Sequence, residues 1–184
     1  MFATQSQYPM FMLMIVAAGV AGYEWFKLMP KEKNKLTKPL AWGYGVVTAA
    51  LSALALYFND IALLLWVASI LSWILSVFWV KNYPNYDGWY NPTLNVVGFV
   101  LISAAVTAIF SVWHTSPWWL MYLFLLVWGA DSGAYFVGRK LGKKKLAPNV
   151  SPNKSVEGLY GGIFTAMLIV VVVEVVYLDL TFAQ

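Results

Sequence analysis

The chain contains no cysteine, and that absence excludes disulfides, thiolate metal sites and thiol nucleophiles. A single histidine, His114, stands alone. Charge is also scarce. Asp, Glu, Lys and Arg make up 11% of the 184 residues, against roughly 25% in an ordinary soluble domain, while 61% are hydrophobic. Water therefore cannot be the main solvent of the fold, and the lipid bilayer takes its place. No Ser/Gly-rich linker, long charge block or internal repeat interrupts the sequence, so residues 1–184 are expected to form a single transmembrane domain. A net charge of +4 would suggest nucleic acid in a soluble protein. Here membrane topology explains basic loops first, and no nucleic-acid partner is expected.

Six apolar stretches are long enough to cross a hydrocarbon core of roughly 30 Å, which takes about 20 helical residues. They cover residues 8–28, 40–58, 61–80, 94–113, 118–137 and 159–178. Each must be a helix, because a lone spanning strand would leave backbone groups unpaired in lipid. The expected fold is therefore an all-α, polytopic bundle. The first stretch is too long for a signal-peptide core and has no Lys or Arg before it, so it reads as a retained helix.

Lys and Arg resist translocation and collect on the cytoplasmic side. Lys27, Lys31, Lys33, Lys35 and Lys38 follow the first stretch, Lys81 the third, and Arg139, Lys140, Lys143, Lys144, Lys145 and Lys154 the fifth. These are all 12 basic residues. The connections between them carry none, which puts both termini outside and the protein in the inner (cytoplasmic) membrane. Trp25, Trp79, Trp89, Trp113, Trp118 and Trp119 fall near helix ends, where amphipathic rings favour the headgroup level.

The region after Leu126 differs from the bland helices around it. Asp131 is an acid inside a spanning helix, a costly placement that normally faces the bundle interior or a wet cavity. Gly129, Ala130, Ser132, Gly133 and Ala134 surround it and would let a backbone or a ligand approach closely. Asp131 can thus serve as a ligand for a divalent metal or an acceptor for substrate hydroxyls, or it can pair with a Lys near the helix end. The loop over residues 138–158 carries six basic residues against Glu157 alone, a local charge of +5 that would attract polyanions. Ser151-Pro152 reads as an N-cap followed by Pro at the first helical position, which would put free N–H groups beside Lys154 as a phosphate site. The same lysines can instead set topology or touch anionic headgroups.

Other candidates carry less. Glu24 lies close enough to the cytoplasmic end to reach water by snorkelling, whereas Glu174, amid valines, has no evident partner. Residues 83–92, with three Tyr, one Trp and two Pro, read as an interfacial loop. His114 is predicted on the outer side as a surface histidine. A small transporter would show paired broken helices in two repeated halves, and none is visible.

The linked motifs Trp128-Gly-Ala-Asp-Ser-Gly-Ala-Tyr135, Lys145-Leu-Ala-Pro148 and Ser151-Pro-x-Lys154-x-x-Glu157-Gly158, followed by Gly161-Gly162, occur in order with characteristic gaps. With Tyr23-Glu24-Trp25 upstream, they resemble the CDP-diacylglycerol synthase family, also called phosphatidate cytidylyltransferase. The resemblance implies a membrane enzyme that transfers CMP from CTP to phosphatidate, giving CDP-diacylglycerol and pyrophosphate with Mg²⁺. It implies catalytic roles for Asp131 and Lys154, with Asp131 also the metal ligand. Ser132, Lys145, Ser151, Asn153, Ser155 and Glu157 would then bind or orient substrate. A homodimer is allowed by family analogy.

Two departures stand out. The family usually has Lys-Thr-Trp-Glu-Gly where this chain has Lys154-Ser155-Val156-Glu157-Gly158, which keeps the hydroxyl and loses an aromatic platform. The family also continues past the point matching Gln184 into helices with a Gly-Asp-Leu, Lys-Arg and Lys-Asp-Ser-Gly signature that supplies the main metal-binding aspartates. At the other end the family's first helix is missing. The chain is accordingly expected to be a shortened member. The alternative is a catalytically inactive, lipid-binding membrane subunit whose partner carries those aspartates.

Overall fold

Lipid offers no partner for backbone N–H and C=O groups, so each apolar stretch closes its hydrogen bonds on itself. The computed structural model describes residues 7–30, 34–82 and 92–182. Among them are the helices α1 (Tyr8–Leu28), α2 (Thr37–Tyr57), α3 (Asn59–Asn82), α4 (Pro92–Thr115), α5 (Pro117–Leu141) and α6 (Val156–Phe182). All six are long and apolar enough to cross a membrane, and the protein is a multi-pass membrane protein. The aromatic loop expected over 83–92 falls almost wholly in 83–91, outside the described residues, as do Lys31 and Lys33.

Helix α1 has the expected bounds, whereas the others overrun theirs at one or both ends. Hydropathy stops at the first charge, but helical hydrogen bonding does not. Helix α5, at 25 residues, is about 37 Å long against a core of roughly 30 Å, so its last turn reaches the headgroup layer. Arg139 and Lys140 occupy that turn, where cations also complement the helix C-terminus. At its other end Ser116 accepts a hydrogen bond from the Trp118 N–H at 3.3 Å, and Pro117 fills the first helical position.

The chain is not purely helical. Between α5 and α6 lie β1 (Lys145–Ala147) and β2 (Ser151–Ser155), an antiparallel pair with Lys145 opposite Ser155 and Ala147 opposite Ser151. A turn closes the hairpin through the Val150 N–H and the Ala147 carbonyl, 3.1 Å apart, with Pro148 and Asn149 at its centre. Both residue types favour those positions.

Packing divides the chain into two compact units, Met1–Thr115 and Ser116–Gln184. The first holds α1 to α4. Its largest fully buried side chains are small and hydroxyl-bearing: Thr48, Ser52, Ser103 and Thr107. Each bonds a carbonyl one turn back on its own helix or a hydroxyl across the interface. The Ser52 hydroxyl donates to Thr48 O at 2.9 Å and meets Ser103 Oγ at 3.1 Å, while Trp66 Nε1 donates to Thr107 Oγ1 at 3.0 Å. Bulky Leu, Val, Ile and Trp side chains face outward instead. Lipid is as apolar as they are, so helices associate through close packing and polar contacts rather than by hiding bulk. Trp25, expected at the headgroup level, turns inward in part. Its indole lies where a Cβ on Gly98 would sit, and its Nε1 donates to Leu94 O at 3.2 Å.

Candidate functional site

Every residue that the sequence marks as a candidate for substrate or metal lies in the second unit. Helices α5 and α6 pack through small residues. A Cβ on Gly133 would meet Thr165 Oγ1 at 2.1 Å and Gly161 O at 2.8 Å; one on Gly162 would meet Ala130 O at 2.9 Å. Gly158 lies against Ala134 O and the Gly138 Cα in the same way. The stripe around Asp131 therefore seats a neighbouring backbone, not a ligand.

Asp131 itself lies off that interface. It is exposed, as is Ser132, and among the described residues it has no hydrogen bond or ion pair. At 3.6 residues per turn, Phe124, Trp128, Tyr135 and Arg139 share its side of α5. Phe124 and Trp128 stack at 5.4 Å, and Arg139 Nη1 donates to the Tyr135 hydroxyl at 3.2 Å. This face thus carries an acid, a phenol and a guanidinium in descending order toward the helix end. In the sequence Arg139 falls in the basic loop; the helical period joins it to Asp131.

The hairpin holds the remaining candidates. Ser151-Pro152 does not start a helix, because Ser151 pairs with Ala147 in the ladder. The start lies four residues later. Ser155 is buried, and its hydroxyl accepts from the Gly158 N–H at 3.1 Å as an N-cap. The Val156 N–H is also taken, by Lys144 O at 2.8 Å, so fewer donors stay free at this helix start than an open phosphate site would offer. Lys154 still stands directly before the cap, exposed, with Asn153 and Lys145 exposed as well and Ser151 half-buried.

Glu157 reaches back to the loop after α5. Its Oε2 accepts the Lys143 N–H at 3.0 Å, and both of its oxygens accept the Lys144 N–H at 3.2 Å. It fixes the base of the hairpin and so determines where the lysine side chains start. Acid at this position suits backbone donors far better than it would suit a phosphate.

The structure brings Lys145, Lys154, Ser155 and Glu157 to one end of the unit and leaves Asp131 apart from them. A Cβ on Gly138 or Gly142 would meet Ser155 Oγ, at 3.2 and 2.6 Å, which fixes its level along α5. Asp131 lies between about 10 and 16 Å deeper along the axis. Glu174, five residues beyond the Ile169 that packs on Gly129, falls near the aromatic start of α5 rather than at mid-span.

In the first unit, Lys27 pairs with Glu24 at 2.9 Å and lies 4.8 Å from the Tyr23 ring centroid, a structural role for Glu24. His114 is exposed and bonds Gln7 Nε2 at 2.8 Å.

Residues 1–183 match the cytidylyltransferase family. The chain belongs to that family. Among cytidylyltransferases, it is 31% identical over 160 residues to a phosphatidate cytidylyltransferase of Pseudomonas aeruginosa, covering 85% of this chain and 57% of the relative. It is 64% identical over 50 residues to the enzyme of that name from Haemophilus influenzae, which covers 27% of this chain and 17% of the relative. The Bacillus subtilis protein of that name is 38% identical over 92 residues, 46% of this chain and 34% of the relative. The chain thus spans little more than half of these relatives at most.

Among the described residues no three His, Asp or Glu side chains gather into a metal site. Such a cage is not what Mg²⁺ requires, since it is commonly held by one or two carboxylates together with substrate phosphates and water. Asp131, exposed and unpaired, fits that substrate-bridged mode, whereas Glu157 is occupied by backbone donors.

Proposed function

We propose that the chain acts in transfer of CMP from CTP to phosphatidate, giving CDP-diacylglycerol and pyrophosphate. The observation that carries this reading is the second unit itself, in which Asp131, an acid within a spanning helix, and a clamped basic hairpin belong to the same compact body. In the reaction a phosphate oxygen of phosphatidate bonds to the α-phosphorus of CTP. The bond from that phosphorus to the bridging oxygen breaks, and its electron pair leaves with pyrophosphate. Two polyanions must meet, so Lys154 and Lys145 offset the repulsion and hold the phosphates in line. Asp131, set deeper, would hold Mg²⁺, which would supply further neutralisation of the phosphate charge, and Ser132 beside it would bind substrate. An elongated phosphorylated ligand suits the axial separation between Asp131 and Lys154.

The topology proposed with it has both termini outside and the hairpin at the cytoplasmic face of the inner membrane, supported by the confinement of all 12 basic residues to three connections and the helix turns that flank them. A homodimer belongs to the proposal by family analogy alone.

The test is to express this chain in synthase-depleted membranes and follow CTP labelled in the cytidine into lipid. Label in CDP-diacylglycerol, lost on Lys154→Ala, is the expected result. A correctly inserted chain that yields no labelled lipid would defeat the reading and favour an inactive subunit.

A further inference from the structure

Strand β2 runs into α6 without a linking residue, and β1 begins four residues after α5 ends. The Glu157 clamp ties the segment between α5 and β1 to the first turn of α6. The hairpin base is therefore held where two spanning helices leave the membrane, at headgroup level. Lys143, Lys144, Lys145 and Lys154 are exposed there, and none forms an ion pair among the described residues. The nearest acid, Glu157, is turned toward backbone donors. The hairpin also exposes two branched apolar side chains, Leu146 at 47% and Val150 at 44%, where a hairpin facing water would carry polar ones. Apolar tips flanked by unpaired cations complement one kind of surface, a bilayer leaflet with anionic headgroups.

We propose that the β1–β2 hairpin docks on its own leaflet, with Leu146 and Val150 in the headgroup and acyl boundary and the Lys143 and Lys144 ammonium groups on anionic lipid phosphates. This goes beyond the transferase reading. It requires only a phosphodiester headgroup of negative charge, and it uses lysines other than Lys145 and Lys154, to which substrate roles are given above.

Because the chain lacks cysteine, Val150→Cys places a single environment-sensitive fluorophore on the tip of the full protein. The labelled chain is reconstituted in nanodiscs of phosphatidylcholine alone or with about one-third phosphatidylglycerol, and quenched by nitroxide lipid or by acrylamide. In anionic discs, lipid quenching should rise, acrylamide quenching should fall, and high salt should reverse both. Each of Lys143→Gln and Lys144→Gln should lower the docked-to-free ratio about fivefold, since a lysine near an anionic surface contributes about 1 kcal/mol. Leu146→Ser, which leaves the charges and the Glu157 clamp in place, should lower it as well.

Equal quenching in neutral and anionic discs would overturn the docking. So would protection by inorganic phosphate in neutral discs that persists in the Lys145→Gln/Lys154→Gln double variant, which would mean that Lys143 and Lys144 bind soluble phosphate rather than the leaflet. Either result leaves the transfer assay above unaffected, so the two proposals fail separately.

Discussion

Replacing Gly133 with Ala tests whether α5 and α6 are held by backbone contact. The added methyl would come within 2.1 Å of Thr165 Oγ1 and 2.8 Å of Gly161 O. Thr165 is itself tied to Gly161 O by a 2.9 Å bond, so turning its hydroxyl aside breaks that bond. Gly161 O belongs to the backbone of α6 and must retreat by about 0.6 Å to reach a contact of 3.4 Å, which displaces the helix. Overpacking of this kind costs about 1–3 kcal/mol. Ala is a better helix former than Gly by up to about 1 kcal/mol, which opposes the loss. The net expectation is a destabilisation of about 1–2 kcal/mol. Gly43 is the control, since a Cβ there meets nothing within 4 Å, and Gly43→Ala should be neutral or stabilise by up to about 1 kcal/mol. Thermal unfolding of the purified variants in one detergent, at about 2–4 °C per kcal/mol, separates the two. Equal stability of Gly133→Ala and the parent, or an equal loss in Gly43→Ala, would refute the argument.

Three further outcomes are expected. Lys154→Ala should weaken CTP or phosphatidate binding at least tenfold more than Lys35→Ala, an exposed lysine of the first unit, as measured by equilibrium binding; equal losses would remove Lys154 from the site. Glu157→Ala should release the amides of Lys143 and Lys144, seen as hydrogen exchange at least tenfold faster at those two positions with α6 unchanged. A double-mutant cycle of Ser52→Ala and Ser103→Ala should give a coupling of about 0.6 kcal/mol, a usual value for hydrogen bonds between membrane helices, and zero coupling would mean that their 3.1 Å contact contributes nothing.

The six spans were legible because hydrocarbon thickness imposes a minimum apolar length, and the sequence satisfies it six times. Their ends were less so, since a helix outlasts its apolar stretch once it reaches headgroups, as Arg139 and Lys140 do. The hairpin left almost no trace. Lys145 to Ser155 lacks alternating apolar residues, and the strands exist because a turn at Pro148-Asn149 and the reach of Glu157 bring the two ends together. Ser151-Pro152 imitates a helix start, and only the ladder bond pattern distinguishes it from the true cap at Ser155. Asp131 could be identified as an intramembrane acid, but the use of its glycine neighbours could not. A small-residue stripe reads alike whether a ligand or a helix fills it. The buried hydroxyls of the first unit were invisible for a related reason, because Ser and Thr bonded to their own helix give no sign of the face they occupy.

The arrangement of small hydroxyls inside and bulky aliphatics outside inverts the pattern of tolerated substitution seen in water-soluble folds. At Leu64, Ile70 or Val171 one large apolar residue can replace another with little consequence, because fluid acyl chains adapt to any outline. At Ser52, Thr48 or Gly22 even a methyl group has nowhere to go. Saturation mutagenesis of the first unit should therefore find its strictest positions among its least bulky residues.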